Sequence, residues 1–130
     1  MKLTIKDCKL REVISCDNTE DIVTVAKKLK NEKQRHIIVT EKDKPIGIIS
    51  TTDINNRVVA ENKDLKKTKA QSIMTSKILV KDINEDLVQT YLEMIKDNIF
   101  SCPVTTDEKL IGTLDLKEVM NHIVKLKPEK

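Results

Sequence analysis

The chain has 130 residues, room for one compact unit. Apolar residues make up 38% and are almost all aliphatic, with one Phe, one Tyr and no Trp, which argues against modules that stack nucleic-acid bases on aromatic platforms. The net charge of +3 comes from interleaved bases and acids, so the lysine-rich stretches 63–69 and 125–130 read as solvated surface rather than a track for a phosphate backbone.

The segment before Val13 leaves a strand and a short helix equally open. Val13–Ser15 reads as a short strand. A helix follows from Asp21, whose side chain can cap the helix start. Ile22, Val25, Ala26 and Leu29 then recur at i, i+3, i+4 and i+7, one apolar stripe. His36–Thr40 and Pro45–Ser50 are β-branched runs separated by the polar turn Glu-Lys-Asp-Lys. A second helix is expected from Thr52, burying Ile54, Val58 and Val59. Residues 63–72 read as a charged linker.

The same plan then returns. Ile78–Val80 reads as a strand, and Asp86 opens a helix carrying Leu87, Tyr91, Met94 and Ile95. Asn98 stands where that helix should end, in a left-handed conformation that Asn tolerates. Strands Ser101–Thr105 and Leu110–Leu114 precede a closing helix with Leu116, Val119, Met120 and Ile123. Shifting the sequence by 65 residues superposes its only two glycines, Gly47 and Gly112. The same shift aligns Glu20–Asp21 with Glu85–Asp86, Val39–Thr40 with Val104–Thr105, and Asn56 with Asn121. Two copies of one β-α-β-β-α unit are implied, roughly residues 1–65 and 66–130, each with an apolar face to bury. The fold class is α/β (α+β), with the copies packed in pseudo-two-fold symmetry.

Cys8, Cys16 and Cys102 form no CxxC pair, and their odd number suggests free thiols in a reducing compartment. Their spacing from one another and from His36 and His122 gives no support for a metal site. The N-terminal MKLTIKDCKLREV lacks the apolar core of a signal peptide, and no apolar run approaches the roughly 20 residues that span a bilayer. A cytoplasmic protein with no membrane partner is expected. No nucleophile–base set or phosphate-cradling glycine loop is present, so no catalytic residue and no required cofactor are assigned.

Three motifs carry a family resemblance. Gly47-Ile48-Ile49-Ser50-Thr51-Thr52-Asp53-Ile54 resembles the signature of cystathionine-β-synthase-type (CBS) domains. Ser72-Ile73-Met74-Thr75 is similar to the apolar-Met-Thr opening of such repeats, and Cys102-Pro103-Val104 to their middle strand. The resemblance covers nearly the whole chain and implies a tandem CBS pair, a Bateman module. Such modules often dimerise, bind AMP, ADP, ATP or S-adenosylmethionine, and regulate a partner protein.

By themselves Ser50, Thr51 and Asp53 read as a helix cap and turn. The resemblance makes Asp53 an acceptor for ribose hydroxyls, with Ser50 and Thr51 facing phosphate oxygens at the helix start. It assigns Arg35 and His36 to the phosphates, one a permanent charge and the other pH-dependent. It assigns the adenine to an apolar slot of Met74, Thr75, Ile78, Leu79, Ile99 and Phe100. Purine burial there is worth about 25 cal/mol per Å². In the second copy Asp115, Leu116 and Glu118 replace Ser50, Thr51 and Asp53, and Phe100 and Ser101 replace Arg35 and His36. The extra acid and the missing cation predict one phosphate-competent site rather than two. The expected function is adenosine-nucleotide sensing by a homodimer that signals to an unidentified protein. The alternatives are a ligand-free scaffold and a binder of S-adenosylmethionine-type ligands.

Overall fold

The computed structural model describes residues 2–125, so the last five residues of the basic stretch 125–130 lie outside it. Its chain-order elements begin with a 3-10 turn, Ile5–Asp7. Then come β1 (Ser15–Asp17), α1 (Ile22–Glu32), β2 (His36–Glu41), β3 (Lys44–Ser50) and α2 (Thr51–Ile54). The last of these widens into a π-helical turn, Asn55–Val59. The second half contains α3 (Ala70–Ile73), β4 (Lys81–Asp82), α4 (Leu87–Lys96), β5 (Ser101–Thr106), β6 (Lys109–Asp115) and α5 (Leu116–Val124).

Each copy makes a three-stranded sheet by the same rule. β1 runs parallel to β2 with α1 as the crossover, and β2 pairs antiparallel with β3. β4, β5 and β6 repeat that order. Even the bulge recurs, at Val39/Thr40 and at Val104/Thr105. Local chemistry explains the helix ends. Asp21 accepts from the Thr24 N–H and Asp86 from the Gln89 N–H, each at 2.8 Å. Lys33 and Asn98 are left-handed at φ 54° and 56°. The next residues, Gln34 and Ile99, donate back to the Leu29 and Met94 carbonyls. Both hairpins turn through two residues of positive φ, Lys42–Asp43 and Asp107–Glu108, whose twist matches that of the strands.

The duplicated sequence is not cut where the copies meet. One compact unit is Val13–Ile78; the other joins the segment ending at Glu12 to the chain from Leu79 onward. Each copy's opening segment therefore docks on the body of the other. The Ile5 N–H donates to the Glu85 carbonyl at 3.0 Å, and the Ala70 N–H, 65 positions later, to the Glu20 carbonyl at 2.8 Å. Ala70 and Ile73 are buried in a core with Ile22, Val25, Ile37, Val39, Ile49 and Val58. Ile5 is buried in a separate core with Leu87, Met94, Val104, Leu114 and Val119. Residues 63–72, expected as a linker, instead close over α1: the Ile22 N–H donates to the carbonyls of Leu65 and Thr68.

The two glycines follow from this docking. Neither has positive φ. A Cβ at Gly47 would lie 2.5 Å from Met74 Sδ and 3.0 Å from the Thr75 oxygen. One at Gly112 would lie 2.9 Å from the Arg11 oxygen. At both places a docked segment crosses the strand: Thr75 pairs with Ile48, and Arg11 with Thr113.

Some expected boundaries and faces shift. The first strands start later than expected, at Ser15 and Lys81, because pairing with β2 and β5 selects Cys16 and Lys81 rather than the more apolar residues before them. The π-turn rotates the end of the α2 helix, so Val58 is buried while Val59 is 56% exposed. Ile95 and Met120, expected in the apolar stripes, are largely exposed.

Candidate functional site

In the unit Val13–Ile78 the interest lies where β3 runs into α2. His36, the first residue of β2, stands opposite Ser50, the last of β3. The Thr51 N–H donates to the Arg35 carbonyl at 3.0 Å, which ties the helix start to the residue before β2. Ser50 Oγ accepts from the Asp53 N–H at 3.0 Å, and Asp53 Oδ2 accepts from the Ser50 N–H at 2.9 Å. This reciprocal capping box fixes the carboxylate. Asp53 Oδ1 lies 3.8 Å from Arg57 Nε, one turn along. Arg57 Nη1 in turn donates to the Ile73 carbonyl at 2.7 Å. A polar path therefore runs Ser50, Asp53, Arg57, Ile73, and reaches the start of Met74-Thr75.

The sequence-predicted residues divide around this path. Ser50 and Asp53 bond to each other, and His36 is exposed at the strand end. Arg35 and Thr51 help line a surface cavity of about 440 Å³ together with Leu29, Lys30, Lys33 and Gln34. Met74, Thr75 and Ile78 belong to the same unit as Asp53; Leu79, Ile99 and Phe100 belong to the other. Met74 is partly buried against the first core, while Phe100 is 69% exposed. Arg57, Lys30 and Lys33 were not singled out from the sequence. The i, i+4 spacing of Asp53 and Arg57 on one helix was the available signal.

The corresponding place in the second unit is built differently. The Leu116 N–H donates to the Phe100 carbonyl at 2.8 Å, as Thr51 does to Arg35. Asp115 makes no cap bond and pairs instead with Arg11 at 2.9 Å. A cavity of about 600 Å³ is lined by Phe100, Ser101, Asp115, Leu116, Lys117, Met120 and Asn121. At the 65-residue shift, Lys30, Lys33 and Arg35 become Ile95, Asn98 and Phe100, so all three cationic positions lose their charge.

Glu118 does not copy the capping role of Asp53. Its Oε2 accepts from the Lys9 N–H at 2.9 Å and lies 3.0 Å from His122 Nε2. These bonds, the backbone one first, hold its carboxyl below the usual range. Cys8 lies beside this pair, and burial followed by the Glu118 charge pushes its thiol up to about 11. Burial raises Cys16 and Cys102 to about 12, as expected of inert core thiols. All three cysteines are free. Among the described residues no helix is long and apolar enough to cross a membrane.

Two copies of a β-α-β-β-α unit, each with a polar cluster where its last strand enters a helix, define a tandem-repeat α/β module. The CBS domain profile matches residues 5–60 and 70–125, and the chain belongs to that family as a CBS pair. A curated relative, an uncharacterized protein of Methanopyrus kandleri, is 28% identical over 91% of the chain. A CBS domain-containing protein of Arabidopsis thaliana is 28% identical over 87%. The chain spans 61% of the first relative's length and 21% of the second's. Among solved structures, a CBS domain pair in complex with 5′-methylthioadenosine and S-adenosyl-L-methionine shares the fold at TM-score 0.68. It is 24% identical, over 98% of this chain and 100% of that one. Hypoxic Response Protein I with two coordinated zinc ions matches at TM-score 0.78 with 17% identity, over 92% and 98% of the two chains.

Proposed function

We propose that the chain is a non-catalytic regulatory module that binds an adenosine nucleotide through the polar cluster of the unit Val13–Ile78. The observation that carries this reading is the path Ser50–Asp53–Arg57–Ile73, which holds a carboxylate beside the Met74-Thr75 segment. A carboxylate has about four lone-pair sites, so Asp53 keeps capacity for ribose hydroxyls after accepting from Ser50. Lys30, Lys33 and Arg35 around the 440 Å³ cavity favour an anionic tail, hence AMP, ADP or ATP over a cationic ligand. The adenosine-type ligands of a similarly folded CBS pair support the ligand class. Of the residues expected at the purine, Met74, Thr75 and Ile78 belong to the same unit as Asp53 and supply its contact surface in this reading.

The test is a thermal-shift series with AMP, ADP, ATP and S-adenosylmethionine. A ligand at 100 times its dissociation constant stabilises by about 2.7 kcal/mol. Asp53→Asn keeps an oxygen for the Ser50 N–H but removes the charge. It should weaken nucleotide binding roughly ten- to a hundredfold, the worth of charge-assisted hydrogen bonds. No shift with any of the four compounds would leave the ligand-free scaffold as the reading. Self-association is part of the proposal: Val88, Leu92 and Ile95 of α4 and Met120 and Val124 of α5 expose apolar surface. Leu92→Glu should lower the mass seen by light scattering to that of one chain.

A further inference from the structure

The strongest unassigned feature is the cluster of Cys8, Glu118 and His122. We propose that these three side chains form a binding site for a divalent transition metal of the zinc class. Glu118 and His122 sit one turn apart on α5, so both project from one helix face. Cys8 arrives from the docked opening segment, just after the 3-10 turn. Its thiol sulfur, a Glu118 oxygen and a His122 ring nitrogen all lie within 4.8 Å of one another. Zinc bonds of about 2.0–2.3 Å put tetrahedral ligand atoms roughly 3.3–3.8 Å apart, so a contraction of about 1 Å completes the set. The Lys9 N–H bond to Glu118 already fixes the carboxylate next to Cys8. Thiolate, imidazole and carboxylate together suit zinc or cobalt and not magnesium or calcium. Three protein ligands leave a fourth position for water. Side-chain exposures of 27% for Glu118 and 23% for His122 give an ion access.

The internal repeat supplies an independent argument. At the 65-residue shift Cys8, Glu118 and His122 correspond to Ile73, Asp53 and Arg57. In the unit Val13–Ile78 the Arg57 guanidinium is the bridging cation: it bonds the Ile73 carbonyl of the docked segment and faces Asp53. The other unit lacks that arginine. Both departures, Ile to Cys and Arg to His, replace a residue that cannot ligate zinc with one that can. A metal ion at this place would restore a positive charge between the acid on the helix and the docked segment.

Cobalt titration of the full-length, chelator-treated protein tests the site. One equivalent of cobalt should produce a thiolate-to-metal charge-transfer absorption that zinc displaces and magnesium does not. Cys8→Ser should abolish that absorption, and His122→Asn should weaken zinc binding at least tenfold. Cys8→Ile combined with His122→Arg recreates the side chains of the other unit. That variant should keep the parent circular dichroism and bind no cobalt. Absence of the absorption in the parent chain would overturn the proposal. So would an absorption that survives Cys8→Ser, since Cys16 and Cys102 would then be its source.

Discussion

At Gly47 and Gly112 the missing side chain matters more than backbone freedom. At Gly47 the nearest atoms belong to the flexible Met74 side chain, with the Thr75 oxygen at 3.0 Å. At Gly112 the first obstacle is a backbone oxygen at 2.9 Å, part of a paired segment. Overpacking of this kind costs about 1–3 kcal/mol. Gly112→Ala should therefore fall toward the upper end and Gly47→Ala toward the lower, measured by urea unfolding. Asp21 offers a pH test. The Thr24 N–H bond lowers its carboxyl below the ordinary 3.8. A depressed folded-state value means the charged cap stabilises fully above pH 3.8 and is lost as pH falls through the folded value. Wild type should therefore be more stable than Asp21→Asn at neutral pH, and the difference should vanish in acid. A difference unchanged at pH 2 would deny the charge its role.

At the scale of elements, the copies solve one electrostatic problem in two ways. In the first, Lys28 on α1 reaches across to Glu20 at 2.9 Å. In the second, the equivalent of Lys28 is Glu93, and the cation has moved to the strand as Lys81, where Cys16 stands in the first copy. Lys81 bonds Glu93 and Glu85. Burial works against its charge, but the bonds to those two carboxylates outweigh it and raise its pKa. The hairpins predict something simpler. Lys42 and Asp43 both adopt the left-handed conformation that Asn-Gly adopts more readily. Lys42→Asn with Asp43→Gly should stabilise the protein by about 1 kcal/mol; a destabilised variant would mean these side chains hold contacts that outweigh backbone strain.

For the whole molecule, exchanged opening segments decide which fragments can fold. A fragment of residues 13–78 carries Ala70 and Ile73 for its own core, whereas residues 1–65 lack both and leave Ile22 and Ile49 uncovered. Loss of a buried Ile side chain alone costs about 2–5 kcal/mol, a large share of a small unit's stability. The 13–78 fragment should keep native-like circular dichroism and cooperative unfolding, and the 1–65 fragment should not. Equal behaviour of the two would show that docking of residues 70–75 contributes little.

Much of this organisation was open to reading from residue order. The 65-residue period, the Asp21 and Asp86 caps, the left-handed Asn98 and the strand pairs all reflect forces acting over a few residues, which leave periodic and local traces. The resemblance of the Gly47–Ile54 motif likewise needs no third dimension. Tertiary structure decided that the opening segments are exchanged, because the bonds that dock them, Ile5 to Glu85 and Ala70 to Glu20, join residues far apart in the chain. It also decided that Arg57 reaches the Ile73 carbonyl and that Cys8 meets Glu118 and His122. Those encounters join residues up to 114 positions apart, and only packing brings them together.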